Sequence, residues 1–122
     1  MKKEIRFSAL IGKTLTDISG IIGSEEMAFT TQDGEKFMLY HEQDCCESVE
    51  VNDIIGNLND LLHVPILQAE KVSNIEEEPP NSYDSYTWTF YKLATIKGYV
   101  TIRWLGESNG YYSEEVSFIQ VL

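Results

Sequence analysis

The stretch from Tyr86 to Phe118 constrains the fold most, because it places nine of the fourteen aromatic residues within 33 positions. It also holds both tryptophans and Arg103, one of two arginines in the chain. Aromatic and β-branched residues in alternation favour β-strands, and two turn signals, Lys97-Gly98 and Asn109-Gly110, divide the stretch. Aromatic faces beside a cation can also hold a flat, anionic heterocycle, so the same residues fit either a core or a binding surface.

The dipeptide Lys97-Gly98 predicts a two-residue hairpin loop, which would place Lys92 opposite Arg103. Because side chains alternate across a sheet, two faces follow. The first is a core face: Tyr91, Leu93, Val100, Ile102 and Trp104. The second is mostly apolar yet carries two cations: Trp88, Phe90, Lys92, Ala94, Ile96, Tyr99, Thr101, Arg103 and Leu105. Directly opposed like charges call for an anion, which is either a carboxylate such as Glu114 or a ligand phosphate or carboxyl group.

The segment Ser108–Glu114 is a tight turn with two tyrosines. Asn-Gly is the commonest type I′ pair, so Asn109-Gly110 predicts a further hairpin that would set Glu114 opposite Leu105. A second interpretation is that Asn109 and the following amides contact a ligand, while Tyr111 or Tyr112 stacks on it.

The first half of the chain predicts antiparallel strands. MAFTTQ and EKFMLYH flank Asp33-Gly34, a type I′ hairpin signal, and TLTDISGIIG alternates loosely through Leu15, Ile18 and Ile21. A short helical turn is expected around Ser8–Gly12, with Phe7, Leu10 and Ile11 turned inward.

The middle of the chain predicts one short or broken helix over NDIIGNLNDLLHV. Ile54, Leu58, Leu61 and Leu62 have helical spacing, and Asn52 or Asp53 could cap the start. A strand is expected in PILQAEKVSN. The acidic, proline-containing NIEEEPPNSYDS is expected to be a surface loop, either a plain connection or a lid over a binding sheet. The predicted fold is an α+β single domain, residues 1–122, built mainly on antiparallel strands with one or two short helices.

The charge balance excludes most nucleic-acid binding. Nine basic against twenty acidic residues give a net charge of −11, whereas phosphate contacts need clusters of Lys and Arg. The acidic surface is compatible with plain solubility, with a basic protein partner or with imitation of a nucleic acid. No apolar run reaches the ~20 residues of a membrane span and no signal peptide is visible, so we expect a cytoplasmic protein.

The segment His41–Glu47 is the one cluster that could carry chemistry. His41, Asp44, Cys45 and Cys46 are possible zinc ligands, but no second ligand pair exists and adjacent cysteines project in different directions. A cysteine nucleophile is disfavoured because the neighbouring carboxylates would raise a thiol pKa. Vicinal cysteines rarely bridge each other, so we expect reduced thiols, no metal and no cofactor, and a binding protein rather than an enzyme.

The stretch TWTFYKLATIKGYVTIRW…SNGYYSE, preceded by HEQDCCESVEVNDIIGNLNDLL, resembles a family of small phage and prophage proteins over residues of about 8 to 118. That family lies close to the phage anti-Thoeris sponges of the first type. The resemblance implies a protein that is not an enzyme and that binds cyclic ADP-ribose isomers intact. It also implies a β-sheet fold with helices and pockets between the subunits of a dimer or hexamer.

The pocket type implied by the resemblance stacks aromatic side chains on a base and sets basic and polar groups on the pyrophosphate and ribose. The candidate ligand-binding residues here are Trp88, Phe90, Arg103, Asn109, Tyr111 and Tyr112. We therefore expect sequestration of a cyclic nucleotide immune signal in the cytoplasm of an infected bacterium. The alternative is an acidic phage inhibitor that binds a host protein, with imitation of a nucleic acid as one form of it.

Overall fold

The computed structural model describes residues 2–73 and 85–122, which form two antiparallel β-sheets. The nine strands are β1 (Lys2–Glu4), β2 (Leu15–Ser19), β3 (Glu26–Thr31), β4 (Lys36–Tyr40), β5 (Ser48–Ile55), β6 (Gln68–Ser73), β7 (Ser85–Thr95), β8 (Gly98–Ser108) and β9 (Ser117–Val121). Two 3-10 helices, Phe7–Leu10 and Leu58–Leu61, lie between strands. The larger sheet has the order β1-β9-β4-β3-β2, and the smaller has the order β5-β8-β7-β6.

The inward faces of both sheets supply one hydrophobic core. Phe29 and Phe37 come from the larger sheet, and Tyr91 and Trp104 come from the smaller one; all four are at most 1% exposed. Phe7, on the first 3-10 helix, joins the two sets because its ring lies 4.7 Å from that of Tyr91 and 5.1 Å from that of Phe118. Edge-to-face and tilted ring pairs at these distances add to the free energy gained by burying the rings.

The antiparallel β prediction is confirmed, whereas the α component is wrong for the described residues, which contain 3-10 helices but no α-helix. The segment predicted as a helix instead continues β5 as far as Ile55, and Ile54 pairs with Ile102 in the ladder. Gly56, at φ 104°, ends the strand, and the Asn57 side chain accepts the amide of Asn59 to start a single 3-10 turn. The ladder with β8 thus outweighed the helical spacing of the leucines.

The β3–β4 hairpin is confirmed, but its turn is not type I′. The Gly34 amide donates to Thr31, the Thr31 amide donates to Glu35, and positive φ occurs at Gly34 but not at Asp33. This is a three-residue loop that ends in a left-handed glycine.

The β7–β8 hairpin is also present, but its register is displaced by two residues from the predicted one. Gly98 pairs with Thr95, so the loop is Ile96-Lys97, and Lys92 lies opposite Thr101 rather than Arg103. The Thr95 hydroxyl fixes this loop because it accepts the Lys97 amide at 3.1 Å and donates to the Asp60 carbonyl. A shift of two residues preserves side-chain alternation, so both predicted faces survive except for Ile96, which moves to the exposed tip.

The predicted hairpin at Asn109-Gly110 is wrong. After Ser108 the chain leaves the smaller sheet, and β9 pairs with β1 and β4 in the larger one. Local contacts stabilise this crossing: the Asn109 side chain accepts the Tyr111 amide, and the Ser108 hydroxyl accepts the Gly110 amide.

Other sequence predictions have mixed outcomes. Phe7 and Leu10 are buried as expected, but Ile11 and Ile21 are 51% and 72% exposed, because both lie in turns rather than in the elements beside them. The strand in PILQAEKVSN is confirmed as β6. The lid prediction falls on residues 74–84, outside the described residues.

Candidate functional site

A cleft opens where the β6–β7 side of the smaller sheet meets β1, the first 3-10 helix and the segment that leads into β9. It consists of two adjoining cavities of about 560 and about 340 Å³, which share Lys71 and Glu115 on their walls. Each volume falls in the range of about 300–1,000 Å³ that is usual for small-molecule sites. We call the two parts the aromatic end and the hydroxyl end.

The aromatic end is the larger cavity. Phe7, Tyr91 and Phe118 line it, and Ala69 and Val116 add aliphatic surface. Phe118 in turn stacks on Phe37 at 5.7 Å with the rings 9° from parallel, so its position is supported from the core. The three rings are at most 5% exposed, so they form a rigid wall that a planar apolar group such as a nucleobase could cover only in part.

The hydroxyl end is lined mainly by polar groups. Alternation along β7 places Ser85, Thr87 and Thr89 on the same face as Tyr91, which extends the cleft along the strand. The full set of hydroxyl groups on this wall is Ser73, Ser85, Thr87, Thr89, Tyr112 and Ser113. Hydroxyls both donate and accept, so this end suits a ribose or another polyol.

Glu114 anchors the wall of the hydroxyl end. Its carboxylate accepts hydrogen bonds from the hydroxyls of Thr87, at 2.7 Å, and Ser108. Its side chain and carbonyl approach Gly106 so closely that an added Cβ there would lie 2.7 Å from each. Glu114 thus braces the cleft and does not neutralise Arg103 as the sequence suggested.

Both cations of the cleft line the aromatic end. Arg6, which is exposed, precedes the first 3-10 helix, and Lys71 projects from β6 opposite Tyr91. Lys71 Nζ lies 3.8 Å from the Glu115 carboxylate, whose side chain is 72% exposed. An ion pair this exposed contributes at most about 1 kcal/mol, so it can open at small cost.

The Tyr91 hydroxyl is buried and has no hydrogen-bond partner among the described residues. Burial, and then the negative charge of Glu115, raises its pKa. An unsatisfied buried hydroxyl costs about 1–3 kcal/mol, so an acceptor that reached it would stabilise the folded chain.

Three of the six predicted ligand-binding residues lie on the opposite, outer face of the smaller sheet. Phe90 is the cross-strand neighbour of Arg103, and the Arg103 guanidinium carbon lies 5.1 Å from the centroid of the Trp88 ring. Trp88 is nevertheless only 3% exposed. These three residues do lie together, as predicted.

Arg103 already has protein partners on that outer face. Its Nε donates to the Asn52 side chain at 3.0 Å, and its Nη2 lies 3.8 Å from the Asp53 carboxylate. The anion that the sequence argument required is therefore supplied by β5. Lys92 and Arg103 are not directly opposed as predicted, because the observed register makes them diagonal neighbours.

The three remaining predicted residues lie in the segment that follows β8. Asn109 is used in its own turn, and Tyr111 is 82% exposed with its ring 5.0 Å from that of Tyr112. Of the six, Tyr112 alone lines the cleft. The six predicted residues thus do not form one site.

Sequence reasoning missed the residues that shape the aromatic end, above all Arg6, Lys71 and Tyr91. Tyr91 was assigned correctly to the core face. The alternation of residues along β7 shows which face a side chain is on, but not whether that side chain borders a cleft or is packed in the core. Arg6 offered a weak signal as the only other arginine in an acidic chain.

The segment from His41 to Glu47 forms a compact loop behind the cleft. The Glu47 carboxylate, with no exposed side-chain surface, accepts hydrogen bonds from the amides of Asp44 and Cys45 and from His41 Nε2. Burial opposes the charge and raises the pKa of Glu47, but these hydrogen bonds outweigh it and lower the pKa to about 2. His41 Nδ1 contacts the Glu115 carbonyl at 2.7 Å, which ties this loop to the wall of the cleft.

Cys45 and Cys46 are joined in a disulfide, so the expectation of reduced thiols is wrong for this structure. Hydrogen bonds from the Asp44 and Cys45 amides to Glu47 fold the loop into a tight turn that carries both sulfur atoms. Within residues 2–73 and 85–122, no group of three or more His, Cys, Asp and Glu side chains is arranged to hold a metal ion. No helix in the same ranges is long and apolar enough to cross a membrane.

Residues 8–118 match the model of a protein family described as a domain of unknown function, DUF7448. The chain belongs to this family. No curated protein and no solved structure shows significant similarity to it. The family assignment therefore supplies no activity.

Proposed function

We propose that this DUF7448 protein binds and sequesters a cyclic nucleotide immune signal, of the cyclic ADP-ribose type, as a phage anti-defence protein. The observation that carries the proposal is the cleft, which joins an aromatic end, two cations and a row of hydroxyls. A base, a pyrophosphate and ribose groups need those three kinds of surface. The resemblance to anti-Thoeris sponges suggests the same ligand class independently.

Holding the ligand without turnover fits the side chains of the cleft. Its walls offer rings, hydroxyls and charged groups. His41 is the nearby side chain of the type that most often serves as a general base. Its side chain is 3% exposed, and its two ring nitrogens are engaged by Glu47 and by the Glu115 carbonyl. His41 lines neither cavity, and with both nitrogens engaged it positions its neighbours rather than a ligand.

A sponge has to compete with a cellular receptor. Nanomolar affinity corresponds to ~12 kcal/mol, and because nothing turns over the protein has to match the signal in concentration. We propose that it acts in the cytoplasm of the infected host as a homo-oligomer, a dimer or a hexamer, whose subunits complete each other's pockets. Exposed Ile96 and Tyr99 at the β7–β8 tip are available for such contacts.

Mass spectrometry of the ligand tests this function. The protein is purified from bacteria that carry an active TIR-domain defence system, denatured by heat, and the released small molecules are identified. An intact cyclic ADP-ribose isomer, in about one copy per site, is expected. Recovery of cleaved product would indicate a hydrolase, and failure of the purified protein to bind any such isomer in calorimetry would refute the proposal.

The net charge of −11 favours a second candidate, an acidic inhibitor that binds a basic host protein. Surface charges accelerate association and are screened by salt. A pull-down with a basic host nuclease that weakens steeply between low and high salt would support this function, whereas a nucleotide released from the protein would favour the first.

A further inference from the structure

The junction between the two ends of the cleft is occupied by the protein's own ion pair. Lys71 and Glu115 are the two residues that line both cavities, and their charged atoms are 3.8 Å apart. Lys71 is opposite Tyr91 in the β6–β7 register. Any molecule that spans the cleft from its rings to its hydroxyls has to pass this pair.

Tyr91 lines the larger cavity and is the cross-strand neighbour of Lys71. Its hydroxyl is buried and has no partner among the residues that the structure describes. A ligand anion that took the place of the Glu115 carboxylate beside Lys71 would therefore lie next to the strand position that carries Tyr91. Lysine is a common phosphate ligand, and phosphate oxygens accept hydrogen bonds strongly.

We propose that Glu115 is a built-in competitor for the anion subsite, and that the ligand's phosphate displaces it from Lys71 and accepts a hydrogen bond from the Tyr91 hydroxyl. This inference rests on the proposed function for the identity of the ligand, but the anion subsite itself does not. On the same cavity wall Arg6 attracts the phosphate, whereas the carboxylates of Glu4 and Glu70 oppose it. The exchange of one anion for another needs no covalent step.

The decisive variant is Glu115→Gln, since it removes the competitor and leaves the shape of the wall. Cyclic ADP-ribose, its ribose-linked isomers and inorganic pyrophosphate are titrated by calorimetry at low salt. Glu115→Gln is expected to raise the affinity for phosphate-containing probes about twofold to fivefold. Glu42→Gln is the matched control, because Glu42 also lies 3.8 Å from a lysine with its side chain 72% exposed, but lies outside the cleft; it should change nothing.

Two further variants test the donors. Lys71→Gln should weaken binding of the same probes by about tenfold to a hundredfold, since a hydrogen bond to a charged group is lost. Tyr91→Phe should weaken binding about threefold to tenfold, yet should raise the melting temperature because it removes an unsatisfied buried hydroxyl. A merely structural tyrosine would not give opposite changes in affinity and stability.

The outcomes separate this inference from the proposed function. If the cyclic ADP-ribose isomers bind but Glu115→Gln, Lys71→Gln and Tyr91→Phe leave their affinity unchanged, the subsite is refuted and the sponge function stands. If pyrophosphate binds with the expected changes while the isomers do not, the subsite stands and the sponge function fails. If no probe binds the unaltered protein, both are refuted.

Discussion

At the scale of single residues, two buried glutamates show how the same side chain can have opposite effects on stability. The pKa of Glu47 is lowered to about 2, because hydrogen bonds from His41 and two amides outweigh the cost of burial. The pKa of Glu107 is raised, by burial first and then by the charges of Glu50 and Glu114. One carboxylate therefore stabilises the fold when ionised, and the other destabilises it.

Glu47→Gln should lower the melting temperature at neutral pH by several degrees. The folded-state pKa lies below the ordinary value of 4.5, so the stabilisation by Glu47 is fully present above pH 4.5 and is lost as the pH falls towards 2. Thermal unfolding of both proteins across that range should show the difference shrinking with acidity. A difference that stays constant from pH 7 to pH 2 would contradict the assigned ionisation.

Glu107→Gln should have the opposite effect and raise the melting temperature at neutral pH. A raised folded-state pKa means that ionised Glu107 opposes folding above that pKa, and that the penalty disappears as the pH falls towards 4.5. The same unfolding experiment measures it, with Glu47→Gln as a control of opposite sign. A destabilised Glu107→Gln protein at pH 7 would show that the carboxylate has a partner that offsets its burial.

At the scale of elements, the sequence predicted what depends on alternation and missed what depends on register. The two faces of β7 and β8 were predicted correctly except at Ile96, because alternation along a strand is local and a two-residue shift preserves it. The pairing itself was wrong, because Thr95 is held by Asp60, a residue 35 positions away. No local turn preference contains that contact.

The cleft could not be predicted for the same reason. It forms because β9 leaves β8 and joins the larger sheet, which brings Glu115 and Phe118 beside β6 and β7. The signal Asn109-Gly110 favoured a hairpin that would have kept the chain in one sheet. Of the six residues predicted to bind ligand, Tyr112 lines the cleft, because the segment after β8 that carries it forms part of the wall of the hydroxyl end.

The crossing from β8 to β9 depends on close packing of Glu114 against Gly106. Gly106→Ala should lower the free energy of unfolding by about 1–3 kcal/mol, because the added methyl group would lie 2.7 Å from Glu114 and force that segment outward. Hydrogen exchange at residues 113–116 should rise, and nucleotide affinity should fall. Gly110→Ala is the control: its φ of 90° makes alanine costly, but the new methyl group would meet nothing closer than 4.0 Å, so exchange at Glu114 should not change.

At the scale of the whole molecule, the two sheets are tied together by more than their shared core. The Gly23 amide donates to the Val51 carbonyl and the Val51 amide donates to Ser24, so the β2–β3 turn of the larger sheet binds the edge of β5 in the smaller. On the other side, the Gly12 amide donates to Ile66. A ligand in a cleft walled by both sheets should therefore stabilise them as one cooperative unit.

Ligand binding is expected to stabilise both sheets in a single cooperative transition. A molecule that binds the folded chain alone adds about 4.1 kcal/mol to the free energy of unfolding when its concentration is a thousand times its Kd. Saturation with the cyclic ADP-ribose isomer that binds should raise the melting temperature in one transition, seen equally by tryptophan fluorescence and far-ultraviolet circular dichroism. Phe7→Leu, which removes a ring from the aromatic end that also joins the sheets, should reduce the shift more than Tyr111→Leu, whose ring is 82% exposed and outside the cleft. If the ligand raises the melting temperature measured by one of these two methods and not by the other, the ligand binds to a single sheet and not in the cleft.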